Sequence, residues 1–152
     1  MVKRVLGLAL VAVAIVACKT APGPETGFGT EAPTSARPGG TSDSAFRTIY
    51  FDFDSSDLSS DARSGLQENG DYLKSNSSTS VSIEGNCDER GSAEYNLALG
   101  KRRAEAARNY LTDLGIDRSR MTTVSFGKER PAVEGHNELA WARNRRDDFR
   151  VR

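Results

Sequence analysis

The chemically richest stretch of the chain is residues 85–96, which read GNCDERGSAEYN. A nucleophilic cysteine there would need a base, usually histidine. The chain's single histidine, His136, lies in the separate polar segment PAVEGHNE, and nothing in the sequence connects it to Cys87. One cysteine and one remote histidine also fall short of the three or four protein ligands of a zinc site. We therefore expect neither a catalytic thiol nor a metal centre, and interpret His136 as a solvated loop residue.

A second group of acids follows the hydrophobic stretch FRTIYFDFD and comprises Asp52, Asp54 and Asp57. Aspartates leaving a hydrophobic strand also occur in phosphatases that phosphorylate an aspartate. Those enzymes need a cap, a distant lysine and a larger parallel sheet, so this remains an alternative only. A calcium loop is disfavoured, because DFDSSDLSSDA lacks the glycine at position 6 and the glutamate at position 12. We interpret the three acids as polar residues that turn the chain at a strand end.

The third candidate site combines Asp88, Asn96 and Arg103. Asn96 and Arg103 are seven residues apart, so they share one face of a helix, and Asp88 lies in the loop that leads into it. An aspartate can hold an ammonium group and an arginine can pair with a carboxylate through two N–H groups, so together they suit a zwitterion. Spacing alone still favours an ordinary surface ion pair for Arg103, contributing about 0–1 kcal/mol. Because Asp88 and Arg103 lie off the predicted core stripe, we expect both to matter little for stability.

Four strands and three helices are predicted to position these residues. Alternation of apolar and polar residues predicts strands at 46–54, 78–85, 121–127 and 148–151. Helices are predicted from a cap at Ser59 or Ser60 to about Lys74, from about Ala93 to Leu114, and from about Asn137 to Arg143. This β-α-β-α-β-α-β order predicts an α/β (α+β) sandwich of two layers, with helices packed on one face of a mixed four-stranded sheet.

The same periodicities predict which side chains face the core. The long helix is expected to bury one stripe and to end at Gly115. The residues expected to face inward from the strands are Ile49, Phe51, Phe53, Val81, Ile83, Val124, Phe126 and, alternating in the last strand, Phe149 and Val151. Those expected on the core stripe of the long helix are Leu97, Gly100, Ala104, Ala107, Leu111 and Leu114.

The first residues predict export. Lys3 and Arg4 precede an apolar run that ends at Ala17 and is shorter than the about 20 residues of a membrane span, which is typical of a signal peptide at residues 1–17. Ile15-Val16-Ala17-Cys18 resembles the lipobox of bacterial lipoproteins, in which the cysteine is acylated. The alternative is a plain signal peptide or a short membrane anchor. Residues 18–45, rich in Pro, Gly, Ser and Thr, are predicted to be the lipidated Cys18 and a flexible tether.

Bulk charge disfavours one class of partner. The chain carries 21 Lys and Arg against 21 Asp and Glu, so nothing in its charge indicates nucleic acid as a partner. Residues 46–152 have the length of one ordinary small domain.

The motifs of that domain resemble a known family. GNCDERGSAEYNLALGKRRAEAARNYLTDLGI, followed by SFGKERPAVEGHNELAWARNRR, is similar to the OmpA-like peptidoglycan-binding domain, and YFDFDSSDL matches the first strand and turn of that family. The resemblance covers residues 46–152. It implies non-covalent binding of the diaminopimelate-containing stem peptide of peptidoglycan, with no reaction catalysed and no cofactor.

The resemblance also implies roles for individual residues. Asp88 would hold the ammonium of diaminopimelate, Arg103 a carboxylate, and Asn96 would add a polar contact. Phe51 and Asp52 would line the same pocket. Arg145, like Asn144 beside it, matches the family signature and would either contact the ligand or have a structural role. The family's Gly-His-x-Asp appears here with Asn86 in place of histidine, and we expect binding to survive this difference, with Cys87 as a small packing residue.

The resemblance finally implies a cellular setting. Together with the lipobox it predicts a lipoprotein of the outer membrane, held in the lipid by acylated Cys18, whose domain lies in the periplasm and links the membrane to the cell wall. The implied partners are peptidoglycan and the Tol system, including its propeller protein. A general wall anchor without Tol partners is the alternative.

Overall fold

The computed structural model describes residues 42–152. The predicted signal peptide, Cys18 and the tether as far as residue 41 lie outside this part. Ser42 and Asp43 are already tied to the last strand, because the Asp43 N–H donates to the Phe149 carbonyl (2.9 Å) and the Phe149 N–H donates to Ser42 Oγ (2.9 Å). Within residues 42–152, no helix is long and apolar enough to cross a membrane.

Four strands form one mixed sheet, as predicted. They are β1 (Ile49–Tyr50), β2 (Val81–Asn86), β3 (Met121–Gly127) and β4 (Arg146–Val151), in the order β1-β4-β2-β3. Strand β4 pairs antiparallel with both β1 and β2, whereas β2 and β3 are parallel.

Three α-helices connect these strands in the described part of the chain: α1 (Ser60–Ser75), α2 (Ala93–Asp113) and α3 (Glu138–Asn144). Ser59 caps α1 by accepting a hydrogen bond from the Ala62 N–H, as one of the two predicted caps. Gly115 follows the end of α2 at a φ of 93°, a left-handed conformation that glycine adopts without strain. A short 3-10 turn, Arg118–Arg120, was not predicted and leads into β3.

Helices α1 and α2 form the second layer and supply the core with the sheet, so the predicted fold class is confirmed. Their buried residues include Leu66 and Leu73 from α1 and Ala104, Ala107 and Leu111 from α2, against Val81, Ile83 and Phe149 of the sheet. Helix α3 contributes no residue to this cluster. It lies instead beside the loops that carry the candidate site residues, as the contacts below show.

The prediction that Val124 faces the core is wrong, and its cause is a close approach of α2 to the sheet. Val124 is 40% exposed, whereas Met121 is buried, so β3 turns the opposite set of side chains inward. A Cβ on Gly85 would collide with the Gly100 carbonyl, and a Cβ on Gly100 would collide with Ser125 Oγ. Because helix and sheet backbones touch here, only small side chains fit between them. Phe126 lies with Val124 on the outer side and is only half-buried.

The predicted core stripe of α2 is confirmed for Gly100, Ala104, Ala107 and Leu111, but its first residue, Leu97, is not part of the core. Leu97 is 53% exposed, whereas Asn96 and Arg103 are buried. Phe53, expected to face the core from the first strand, is 58% exposed, because β1 ends at Tyr50 and the chain turns after Phe51. The helix therefore buries Asn96 in place of Leu97, and it buries Arg103 beside the predicted stripe.

Candidate functional site

A pocket of about 160 Å³ opens among the loop after β1, the loop after β2 and the start of α2. Four of the predicted site residues line it: Asp88, Asn96, Arg103 and Arg145. The remaining lining residues are Phe53, Asp54, Cys87, Arg90, Gly91, Tyr95 and Leu99. Phe51 and Asp52, the other two predicted residues, line a neighbouring depression that also contacts Arg145.

Asp88 is a nearly buried carboxylate at the wall of this pocket, with its side chain 5% exposed. Its Oδ2 accepts hydrogen bonds from Arg90 Nη2 (2.6 Å) and Arg145 Nη1 (3.3 Å). Burial opposes ionisation of Asp88, but the hydrogen bonds from Arg90 and Arg145 outweigh it and lower the pKa of the carboxyl below its usual value. Asp88 is therefore a fixed negative charge.

Arg145 connects this carboxylate to two other parts of the fold. Its Nε donates to the Phe51 carbonyl (3.1 Å), and its Nη2 pairs with Glu138 of α3 (2.7 Å). The side chain is 8% exposed. Arg145 thus lines the pocket and also holds β1, α3 and the Asp88 loop together.

Arg103 is the largest fully buried side chain among the described residues, and its surroundings are mainly backbone carbonyls. Its guanidinium donates to the carbonyls of Ser55 (2.8 Å), Asp52 (3.0 Å) and Asn86 (3.1 Å). Together with a contact from Nη1 to Cys87 Sγ (3.6 Å), these bonds leave one of the five guanidinium N–H groups, on Nη2, for a ligand. A ligand carboxylate would therefore meet a single N–H and not the two-pronged pairing expected from the sequence.

The burial of Arg103 removes the basis for expecting that it matters little for stability, and we now expect the opposite. The side chain is 0% exposed and its positive charge lies at the pocket floor. Burial lowers the pKa of its guanidinium. The three carbonyls belong to the loop after β1 and the end of β2, so Arg103 joins these two walls of the pocket.

Asn96 and Cys87 fasten the loop after β2 to the start of α2. Asn96 Nδ2 donates to the Arg90 carbonyl (2.8 Å), and Cys87 Sγ donates to the Asn96 carbonyl (3.3 Å). Burial raises the pKa of the Cys87 thiol to about 11, which keeps it protonated and unreactive. Asn86, which the resemblance led us to single out, is buried and donates from Nδ2 to the Glu84 carbonyl (2.9 Å).

The same loop is held from its other side by the segment between β3 and α3. Lys128 Nζ donates to the carbonyls of Glu89 (3.3 Å) and Gly91 (2.8 Å). The Glu89 carboxylate accepts from Trp141 Nε1 (2.8 Å) and contacts His136 Nδ1 (2.8 Å). The hydrogen bond to Glu89 raises the pKa of His136, which is otherwise exposed, as predicted.

Sequence reasoning missed Arg90 and misplaced Phe53. The Arg90 guanidinium lies 4.0 Å from the centre of the Phe53 ring and 4.2 Å from that of the Trp141 ring, while it pairs with Asp88. Its position two residues after Asp88 was the available signal, because such a neighbour can reach back to the carboxylate. No comparable signal predicted the exposure of Phe53, because the sequence FRTIYFDFD alternates apolar and polar residues up to this position.

The two aspartates considered for a phosphatase do not share a site. Asp54 lines the pocket and accepts a hydrogen bond from the Tyr95 hydroxyl, with a positive φ of 54° in the turn. Asp52 lines the neighbouring depression and contributes its carbonyl to Arg103. The two aspartates are therefore part of a turn, in agreement with the interpretation that they turn the chain at a strand end.

The model of the OmpA family matches residues 50–145, so the chain belongs to the OmpA family. Its relatives include the peptidoglycan-associated lipoprotein of Haemophilus influenzae, which is 46% identical over 101 residues, or 66% of either protein. The peptidoglycan-associated lipoprotein of Pseudomonas putida is 44% identical over 131 residues, covering 84% of this chain and 77% of the relative. The family resemblance drawn from the sequence is thereby confirmed.

Solved structures show the same fold. The crystal structure of the peptidoglycan-associated lipoprotein from Burkholderia pseudomallei shares 48% identity at a TM-score of 0.68, over 71% of this chain and 92% of that one. The C-terminal domain of Helicobacter pylori MotB, at 14% identity and a TM-score of 0.64, shares the fold alone over 68% of this chain and 82% of that one. The names of the sequence relatives describe peptidoglycan-associated lipoproteins, in agreement with the prediction that the protein is not an enzyme.

Proposed function

We propose that this protein is a lipoprotein of the outer membrane that binds peptidoglycan non-covalently through the pocket beside Asp88. Membership of the OmpA family and relatives named peptidoglycan-associated lipoproteins support this proposal. The lipid would be carried by Cys18, and the domain would lie in the periplasm. The protein would thus hold the outer membrane to the cell wall and support envelope integrity and cell division.

The ligand group we propose is the free end of diaminopimelate in the stem peptide, which carries an ammonium and a carboxylate. The observation that carries this proposal is Asp88, an ionised carboxylate almost sealed from water at the wall of a pocket of about 160 Å³. Such a fixed negative charge at a pocket wall attracts cations, and an ammonium group is a suitable one. Arg103 at the pocket floor would attract the ligand carboxylate and donate one N–H from Nη2.

The remaining predicted residues are given supporting roles in this proposal. Arg145 would keep Asp88 in place, since its Nη1 donates to that carboxylate (3.3 Å). Asn96 would fix the loop through the Arg90 carbonyl. Phe51 and Asp52 would act mainly through their carbonyls, which orient Arg145 and Arg103.

The experiment that tests the proposal compares binding of the purified protein and its Asp88→Asn variant to isolated sacculi. A charge-assisted hydrogen bond contributes about 1.5–3 kcal/mol, so the variant should bind roughly 10- to 150-fold more weakly. Asp117→Asn is the matched control, because Asp117 also has a lowered pKa but caps the 3-10 turn and does not line the pocket. Equal binding by the Asp88→Asn variant would refute the assignment.

The membrane anchor and the Tol partners need separate tests. Cys18→Ser should release the protein into the soluble periplasmic fraction, and a cleaved variant that stays in membranes would contradict lipidation. We include the Tol propeller protein among the proposed partners because the family resemblance implies it. Co-purification from cross-linked cells distinguishes a Tol partner from a general wall anchor.

A further inference from the structure

Asp88 has no free acceptor position for a ligand in this structure. Its Oδ1 accepts from the backbone N–H of Arg90 (3.1 Å) and from Arg90 Nε (3.3 Å). Its Oδ2 accepts from Arg90 Nη2 (2.6 Å) and Arg145 Nη1 (3.3 Å). A carboxylate offers about four acceptor positions, so these four donors saturate it. A ligand ammonium must therefore displace one of them.

The two arginines differ in how firmly they are held. Arg145 is 8% exposed and is fixed by the Phe51 carbonyl and by Glu138 as well as by Asp88. The Arg90 side chain is 30% exposed and lies at the pocket. Its other contacts are the faces of Phe53 and Trp141, and Glu138 at 3.8 Å. Releasing the Arg90 side chain disturbs less of the fold than releasing Arg145, because Phe53 and Glu138 are themselves exposed.

We propose that Arg90 is an exchangeable internal cation, which occupies the ammonium position at Asp88 until the ligand displaces it. The proposal rests on the proposed function in taking an ammonium as the group that Asp88 binds. Arg90 is then a specificity-determining residue, because a ligand must carry a cation that competes with a guanidinium already stacked between two aromatic rings. Neutral or weakly charged groups cannot displace it. Without a ligand, Arg90 also keeps the buried carboxylate of Asp88 more fully paired than Arg145 alone would, which stabilises the loop.

The test measures binding of a synthetic stem tetrapeptide containing diaminopimelate to the full-length protein by calorimetric titration. Arg90→Gln keeps a polar but shorter side chain and removes the competing charge. We expect it to bind the tetrapeptide about twofold to fivefold tighter, because a partly exposed ion pair no longer has to be broken. Equal or weaker binding overturns the exchange. Arg90→Lys restores a cation and should return the affinity toward the original value, whereas tightening as large as that of Arg90→Gln also overturns it.

Arg130→Gln is the matched control for removing an arginine from an aromatic face. The Arg130 guanidinium stacks on Phe126 at 3.5 Å and pairs with Glu84 at 3.7 Å, but Arg130 does not line the pocket. Its affinity for the tetrapeptide should not change. A gain equal to that of Arg90→Gln would show a general charge effect and overturn the exchange.

Trp141 provides a second readout, since it is the only tryptophan of the chain and the Arg90 guanidinium lies over its ring. The tetrapeptide should change the emission of Trp141 in the original protein and change it less in Arg90→Gln, where no guanidinium leaves the ring. A change of the same size in both proteins contradicts the exchange.

Asp88→Asn separates this inference from the proposed function on which it rests. If Asp88→Asn binds the tetrapeptide as well as the original protein, the proposed function fails. If Asp88→Asn loses binding while Arg90→Gln gains none, the proposed function stands and the exchange alone is refuted.

Discussion

Replacing Arg103 with alanine should destabilise the protein strongly, although Arg103 was proposed from the sequence as a ligand residue. The substitution removes three charge-assisted hydrogen bonds to the carbonyls of Ser55, Asp52 and Asn86. Bonds to charged groups contribute about 1.5–3 kcal/mol each, but neighbouring losses are not additive and water can enter the vacated space. We therefore expect a loss of about 3–5 kcal/mol, the range found when a buried charged network is broken. This is a large part of the about 5–15 kcal/mol that stabilises an ordinary domain.

The assay is urea unfolding followed by far-ultraviolet circular dichroism, with the slope of the transition compared between variants. Arg102→Ala is the matched control, because Arg102 is the preceding residue of the same helix and is exposed. Its free energy of unfolding should change by less than about 0.5 kcal/mol. Arg103→Lys retains the charge and up to three donors but not the planar geometry, so its loss should be intermediate. A loss below about 1 kcal/mol for Arg103→Ala would refute the structural role argued here.

Loss of binding in an Arg103 variant does not by itself demonstrate a ligand contact, because the same guanidinium joins two walls of the pocket. Stem peptides with an amidated diaminopimelate carboxylate separate the two effects. Amidation removes the charge that Arg103 would attract and leaves the ammonium for Asp88. The original protein should bind the amidated peptide more weakly, and Asp88→Asn should weaken it further. Equal affinities of the original protein for free and amidated peptides would refute the Arg103 contact and leave its structural role intact.

Three further predictions concern the interior. Gly85→Ala should cost about 1–3 kcal/mol of stability in the same unfolding assay, because the new Cβ meets the backbone of Gly100, and an unchanged transition would contradict the close approach. Burial raises the pKa of Asp147 well above its usual value, and neither of its carboxylate oxygens has a hydrogen-bond partner among the described residues. The folded state therefore binds the extra proton, and the contribution of Asp147 to stability falls as pH rises above about 4, the pKa of an aspartate in the unfolded chain. Asp147→Asn should therefore gain stability over the original protein as pH rises through this window and lose that advantage near pH 4, in unfolding curves measured across pH. Cys87 should react with maleimide only after denaturation and form no disulfide dimers, since its thiol is 3% exposed; rapid labelling of the native protein would contradict this.

The element order and most helix boundaries could be predicted because local signals determine them. Ser59 supplies a cap oxygen and Gly115 tolerates a left-handed conformation, and both effects act within a few residues. The orientation of β3 could not be predicted in this way. It depends on the contact between Gly85 of β2 and Gly100 of α2, which lie in different elements of the sequence. This contact excludes large side chains from the face of the sheet that packs against α2.

The sequence predicted which residues line the candidate site better than it predicted how those residues contact one another. The family motifs located Asp88, Asn96, Arg103 and Arg145, and all four line the pocket. The motifs carry no information on which donors already occupy a carboxylate. Arg90 was missed for this reason, because its role follows from distances of 2.6–4.2 Å to Asp88 and two aromatic rings that only folding creates.

The close approach of α2 and the polar floor of the pocket are parts of one arrangement. Because Gly85 and Gly100 let helix and strand backbones touch, Arg103, three residues further along α2, is carried under the end of β2. There its guanidinium reaches the Asn86 carbonyl and the loop after β1 together. A larger residue at either glycine would move the helix outward and separate the donors from these carbonyls. The two glycines would therefore support the proposed ligand binding without lining the pocket, and the stability cost of Gly85→Ala should be accompanied by weaker binding of the stem peptide.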